Sequence, residues 1–282
     1  MSRTENLPRA GLETAARIAA DAARAGADVL RARRHAFGEV RAKSSAVDVV
    51  TDADIASGVA VVRSILAAQP SARFIVEEDE VFGLTDAAKA DDAFDGEVWM
   101  IDPLDGTTSF FHDYPCFSVS VALLVDGLPA VGVVHDAALD TVYAATRGSG
   151  ATQDGAPLAC SGTATLSRAL LVSGFPYDRG EPLRRQLPIL AAMMAEAHDM
   201  RRDGSAAIDC CHVAVGRCDG YWELAMKPWD LAAGVLIAAE AGAVVTDFDG
   251  QPWTPDATTI VTANPRLHPI LLDKIAEAGG RG

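Results

Sequence analysis

Apolar positions along this chain follow two periods, and the switches between them mark out the elements. From Leu12 to Arg34 they fall at Ile18, Ala22, Ala25, Val29 and Leu30 with charges opposite, the helical period, which predicts a long opening helix. A second helical pattern, Ile55, Val59, Val62, Ile65 and Leu66, follows Asp48 to Asp54 and is ended by Pro70. Arg73 to Val76 and Val98 to Ile101 are short apolar runs bounded by turn or acidic residues, the pattern of buried strands. Each runs into carboxylates. Val81 to Asp95, with Gly83, Asp86, Asp91, Asp92 and Asp95, is expected to be a polar loop open to movement.

Phe117 to Val125, Ala130 to His135 and Val142 to Ala145 are strand-like runs separated by Asp126-Gly127 and by Ala138 to Asp140, which predicts an antiparallel meander. Beyond Leu166 strands and helices alternate. The pattern predicts a strand at Leu170 to Ser173, helices near Leu187 to His198 and Ala206 to Val215, and a strand at Tyr221 to Leu224. A helix at Asp230 to Ala241, a strand at Ala243 to Thr246 and a helix near His268 to Ala278 complete it. Such an order implies a layered α+β or α/β architecture. Gly148-Ser149-Gly150 is the clear composition break, dividing an N-terminal half, 1–150, from a C-terminal half, 151–282.

With 49% hydrophobic and 22% charged residues among 282, the chain can bury a real core. Its net charge of −15 repels polynucleotides and anionic membranes, so neither is expected as a partner. The five cysteines, Cys116, Cys160, Cys210, Cys211 and Cys218, are odd in number and lack Cys-x-x-Cys spacing. This argues against a disulfide framework and a thiolate zinc site, and suggests a reducing cytoplasm. The stretch after Met1 has no apolar segment of signal-peptide type, and the longest apolar run, Val119 to Val125, is interrupted by Ser120. That is far short of the ~20 residues of a membrane helix.

Four acidic clusters stand at turns or element ends: Asp54, the pair Glu77-Glu78, Asp102 with Asp105, and Asp230. Singly, each has an ordinary reading as a helix cap, a surface charge or a turn residue. Two successive strand-like runs, however, deliver carboxylates at their C-terminal ends, where open α/β sheets place their sites. Two carboxylates ~5 Å apart at an effective dielectric of ~20 repel by roughly 3 kcal/mol, so a converging set calls for a divalent cation. His35, His112, His135, His198, His212 and His268 show no His-x-His or His-x-x-x-His spacing, and all-oxygen ligands select magnesium over zinc. Within Asp102 to Thr108, Gly106 lets the backbone approach a ligand, and the N–H groups of Gly106, Thr107 and Thr108 can cradle phosphate oxygens if the loop opens a helix.

Two segments, Trp99-Met-Ile-Asp-Pro-Leu-Asp-Gly-Thr-Thr-Ser-Phe-Phe-His112 and Trp229-Asp-Leu-Ala-Ala-Gly-Val-Leu-Ile-Ala-Ala-Glu-Ala-Gly242, resemble the signatures of the inositol monophosphatase family of magnesium-dependent, lithium-sensitive sugar phosphatases. Lys43-Ser-Ser, Val50 to Asp54, Phe74 to Glu78, Gly204 to Ala207 and Tyr221 to Glu223 support the likeness, which covers nearly the whole chain. The resemblance implies a stacked α-β-α-β-α sandwich, a homodimer, a phosphorylated polyol or sugar as substrate, and two or three magnesium ions per site. It implies that Glu77, Asp102 and the Leu104 carbonyl hold one ion, and that Asp102, Asp105 and Asp230 hold the second. Glu77 and Thr107, with Asp54 behind, would orient and deprotonate the water that attacks phosphorus in line. Gly106 and Thr107 amides would hold the phosphate, with Asp105 and Asp230 at the substrate. Lys43 would steady outer metal waters, and Ser205, Ala206 and Glu223 would face the sugar hydroxyls. Val76, Asp79 and Ser109 depart from the residues common in the family and bear on loop geometry and substrate range.

Glu223 and the Gly204 to Ala207 segment favour inositol phosphate over histidinol phosphate, fructose 1,6-bisphosphate or 3′-phosphoadenosine nucleotides. A regulatory binding protein on the same fold is the alternative of another class, and the complete carboxylate set argues against it. Cys211 to Arg217 has the Cys-x5-Arg spacing of thiol phosphatases, but Ile208, Cys211 and Val215 fall at helical spacing, which predicts a buried helix. Asp247-Phe-Asp-Gly250 starts like a calcium loop yet has Thr258 where the ligand Glu belongs, so it is read as a turn.

Overall fold

A computed structural model describes residues 9–35, 40–42, 49–91 and 94–280. Its helices are α1 (Arg9–Arg33), α2 (Asp52–Ala68), α3 (Thr107–Phe111), α4 (Glu181–Glu196), α5 (Ala206–Ala214), α6 (Pro228–Glu240) and α7 (His268–Glu277). The first strands are β1 (Val40–Ala42), β2 (Val49–Thr51), β3 (Arg73–Val76), β4 (Ala88–Lys89), β5 (Glu97–Asp105), β6 (Ser118–Val125), β7 (Leu128–Asp136) and β8 (Thr141–Thr146). They are followed by β9 (Ala151–Gln153), β10 (Ala156–Pro157), β11 (Leu170–Ser173), β12 (Asp199–Arg201), β13 (Gly220–Leu224), β14 (Val244–Thr246) and β15 (Thr259–Ala263).

Strands β3 to β10 form an eight-stranded sheet in the order β10-β9-β8-β7-β6-β5-β3-β4, and β11 to β15 form a five-stranded sheet in the order β12-β11-β13-β15-β14. Period-two alternation divides the first sheet between two cores. Trp99 and Ile101 of β5 join the core under α1 and α2, whereas Val98 and Met100 join the core that holds α5 and α6. That second core also takes Tyr221 and Ile260 from one face of the smaller sheet. Trp222, Leu224 and Val261 point to the other face, where Ile189 and Met193 of α4 and Leu271 and Ile275 of α7 cover them. The layers therefore run α-β-α-β-α, as the sequence resemblance implies. α6 sits close on the sheet because a Cβ at Gly132 of β7 would meet the Ala233 carbonyl oxygen at 2.8 Å.

The structure corrects several boundaries. β5 does not stop at Ile101 but continues to Asp105 through Pro103. The segment expected as loop from Val81 to Asp95 contains part of a 3-10 helix, Asp79–Leu84, and the short β4. α4 begins at Glu181, ahead of the expected start, and accommodates Pro188 in its interior. Proline lacks the N–H for the i−4 bond, which is why it reads as a boundary in sequence. The structure adds a core strand, β15, between Thr246 and His268, where no element is predicted from the sequence.

Candidate active site

The site is built where β3, β5 and β13 meet the starts of α2, α3, α5 and α6. β3 and β5 run parallel with Val76 opposite Ile101, so Glu77 and Asp102 emerge side by side at their C-terminal ends. The Glu77 N–H donates to the Ile101 carbonyl at 3.1 Å, which extends this register by one residue. Along β5, Asp102 pairs with Ser120 and Asp105 with Ser118, so three steps on one strand match two on the other. In a regular strand Asp102 and Asp105 would face opposite sides; the bulge at Pro103-Leu104 turns both toward the same layer. Pro103 costs little there, because bulges tolerate the missing N–H.

Gly106 follows with φ +94° and caps α3. A Cβ at this position would lie 2.7 Å from the Cys116 carbonyl oxygen, so both the conformation and the space require glycine. Thr107 then opens the helix with its hydroxyl 3.1 Å from Asp54 Oδ1 and 3.1 Å from the Leu104 carbonyl oxygen. Asp54 is fixed at the start of α2, where its Oδ2 accepts the N–H and hydroxyl of Thr51 at 2.9 and 2.6 Å. From behind, the Ser57 hydroxyl donates to the Pro103 carbonyl at 2.7 Å.

The central layer supplies the opposite wall. Asp105 Oδ2 accepts the Ser205 hydroxyl at 2.6 Å and the Ala207 N–H at 2.7 Å, at the start of α5. Burial pushes its carboxyl up to about 6, against these hydrogen bonds and with help from the charge of Glu77. Asp230 stands in the first turn of α6, where its Oδ2 accepts the Lys227 N–H at 3.0 Å. Burial, followed by the charges of Glu77 and Asp105, holds Asp230 well above the usual carboxylate range. Glu223 on β13 accepts the Tyr221 hydroxyl at 2.7 Å, with both side chains on one face as strand alternation predicts. Burial pushes Glu223 up to about 7, although Tyr221 and Arg202 favour its charged form.

One cavity of about 490 Å³ is lined by Glu77, Asp102, Leu104, Asp105, Gly106, Thr107, Ser205, Ala206, Glu223 and Asp230. Asp54 stands behind Thr107, outside the lining. Lys43 lies outside the described residues. Of the Glu77-Glu78 pair, Glu77 opens into the cavity while Glu78 is buried. The donor set suits a hard divalent cation: carboxylate and carbonyl oxygens without imidazole or thiolate, and buried carboxylates that burial and mutual repulsion drive toward protonation. Arg202, Gly174 and the buried Asp209 also line this cavity, and no motif marks them in the sequence. Gly174 leaves the space that the Glu223 carboxylate fills. The sequence gives no spacing signal for Gly174, whereas Arg201-Arg202 is a basic pair in an acidic chain.

The two decoys behave as expected. Cys211 is fully buried in α5, and the Arg217 guanidinium donates to the Tyr143 hydroxyl at 2.7 Å. Burial drives the Cys211 thiol well above its ordinary pKa, away from the thiolate that a nucleophile needs. Asp247 Oδ1 accepts the N–H groups of Asp249 and Gln251 at 2.9 and 2.8 Å, which closes a turn.

The layers and cavity have the form of a metal-dependent phosphatase. The family model described as the inositol monophosphatase family matches residues 12–279. An inositol-1-monophosphatase of Synechocystis is 38% identical over 238 residues, covering 84% of this chain and 80% of that protein. The Nus factor SuhB of Vibrio cholerae is 40% identical over 233 residues, covering 82% and 84%. Among solved structures, an inositol monophosphatase from Anabaena superposes with a TM-score of 0.83 at 36% identity, over 94% of this chain and 96% of that one. The chain belongs to the inositol monophosphatase family. Among the described residues, no helix is long and apolar enough to cross a membrane.

Proposed function

We propose that this protein is a magnesium-dependent phosphomonoesterase that hydrolyses myo-inositol monophosphate to inositol and phosphate. The observation that carries this reading is the one cavity that Glu77, Asp102, Asp105 and Asp230 line together with Gly106, Thr107 and Glu223. Glu77, Asp102 and the Leu104 carbonyl would hold one ion and Asp102, Asp105 and Asp230 a second, with room in the family pattern for a third. Bound magnesium supplies charge neutralisation at the phosphoryl oxygens and acidifies the attacking water.

The chain's own groups do the rest. Thr107 donates its hydroxyl proton to Asp54, which leaves an oxygen lone pair to orient the water beside Glu77. Glu77 accepts the proton as the water attacks. The Gly106 and Thr107 amides hold the phosphate, Ser205 fixes the orientation of Asp105, and Ala206 and Glu223 face the polyol hydroxyls. Lys43 is assigned the outer waters of the ions. No covalent phosphoenzyme is required, and the buried thiol of Cys211 is not placed to form one. The halves 1–150 and 151–282 act as one catalytic unit, because Asp230 and Glu223 from the second complete the site of the first. By family likeness and cysteine usage the protein works as a cytoplasmic homodimer.

A phosphate-release assay with inositol 1-phosphate, histidinol phosphate, fructose 1,6-bisphosphate and 3′-phosphoadenosine 5′-phosphate, each with and without magnesium, tests the reading. Inositol phosphate should give the highest kcat/KM; preference for another of the four would move the substrate assignment within the family. A binding role on this fold is a second reading, prompted by relatives named Nus factors. Turnover of none of the four esters would favour it.

A further inference from the structure

Asp209 of α5 is a buried carboxylate that the catalytic account does not use. It is 1% exposed, and among the described residues neither of its oxygens has a hydrogen-bond partner. A buried carboxylate in that state is costly unless a proton or a cation sits against it. Burial and the nearby charge of Asp203 hold its carboxyl well above the usual range, which says how poorly the protein alone solvates the anion.

The groups around it offer a cation partner. His212 stands three residues further on the same helix face, and Asp203 precedes Gly204 and the helix cap Ser205. One ligand atom from each of Asp203, Asp209 and His212 lies within 4.8 Å of the other two, and His212 Nδ1 is 3.6 Å from Asp203 Oδ2. Metal bonds of about 2.0–2.2 Å put adjacent ligand atoms roughly 3.0–3.5 Å apart, so small side-chain movements close the trio on an ion. The side chains of His212 and Asp203 are 18% and 21% exposed, which gives an ion a path from solvent to the buried Asp209.

We propose that Asp203, Asp209 and His212 form a second divalent-cation site at the edge of the catalytic cavity, which Asp209 also lines, with a ligand set of its own that includes nitrogen. Two carboxylates and a neutral imidazole balance the charge of one divalent ion. The nitrogen donor shifts the preference from magnesium toward a transition cation such as Mn²⁺, Co²⁺ or Zn²⁺. Occupancy would tie the turn at Asp203 to α5, next to Ser205, whose hydroxyl holds Asp105.

The test reads coordination rather than turnover. Tag-free full-length protein is loaded with Mn²⁺, desalted, and examined for metal content and by pulsed electron paramagnetic resonance. The wild type should show coupling to an imidazole nitrogen, and His212→Gln should lose both that coupling and about one equivalent of Mn²⁺. Asp203→Asn should bind at least tenfold more weakly at the same site, which keeps the test intact if His212→Gln folds poorly. A wild type without nitrogen coupling, or a coupling that persists in His212→Gln, overturns the proposal and leaves Asp209 a protonated acid. Neither result depends on whether the cavity hydrolyses inositol phosphate, since none of the catalytic carboxylates supplies nitrogen.

Discussion

Asp54 Oδ1 lies 3.1 Å from the Thr107 hydroxyl, while Oδ2 of the same carboxylate is held by the Thr51 N–H and hydroxyl. A carboxylate anchored through one oxygen presents the other as a fixed acceptor, and with the Leu104 carbonyl, also 3.1 Å from the hydroxyl, it limits where the Thr107 proton can point. Thr107→Val should therefore lower kcat by about 10²-fold or more with a smaller change in KM, the scale of losing a positioned proton-transfer partner. Thr107→Ser should retain most activity. Steady-state phosphate release checks both, and unchanged kcat in the valine variant would remove the hydroxyl from the reaction.

Asp102 is assigned to both metal ions. Asp102→Asn should reduce kcat by orders of magnitude while leaving the fold intact, because in the metal-free protein it relieves one member of a mutually repelling set. Thermal melting in chelator should give a Tm equal to or above that of the wild type. Near wild-type turnover would refute the shared-ligand role.

Glu223 separates recognition from stability. With its carboxyl raised from 4.5 to about 7 in the folded protein, Glu223 keeps its proton longer folded than unfolded. Stability from this group is present at low pH and is lost as pH rises through about 7. In chelator, Glu223→Gln should then be more stable than the wild type at pH 8, by on the order of 3 kcal/mol, and equal to it near pH 4. The same variant should lose roughly 1.5–3 kcal/mol in kcat/KM on inositol phosphate, and much less on a phosphate ester without neighbouring hydroxyls. Equal losses on both esters would assign Glu223 to the metal site or the fold.

Cys211→Ser should leave kcat nearly unchanged and lower stability by about 1–3 kcal/mol, since it buries a hydroxyl in the packed α5. Phosphate release and denaturant melts measure the two effects separately. Loss of catalysis in a folded variant would revive a thiol mechanism.

The periodic elements were legible because their apolar positions are dictated by what they bury. β3 and β11 were bounded correctly from sequence, and α1, α5 and α7 to within a few residues. What escaped depends on partners distant in the chain. β15 reads Thr259-Ile-Val-Thr-Ala263, a β-branched run with strand propensity of its own, but its place between β13 and β14 depends on those distant partners. Glu77, Asp102, Asp105 and Asp230 could be named from their motifs, but the bulge that turns Asp105 to face Asp102's layer exists only in the pairing with Ser118 and Ser120. Gly174 acquires its role because Glu223, 49 positions away by subtraction, fills its space. Asp209 belongs to no motif, and among the described residues it is the folded surroundings that leave both its oxygens without a hydrogen-bond partner.

The central claim is that the carboxylates of this cavity work by holding magnesium, and a titration of phosphate release from inositol 1-phosphate tests it most directly. Protein stripped with chelator should be inactive and should regain turnover as magnesium enters the millimolar range, because Mg²⁺ dehydrates reluctantly. Lithium and excess magnesium should then inhibit, as family likeness implies. Full turnover in chelator, with no response to added magnesium, would contradict the account.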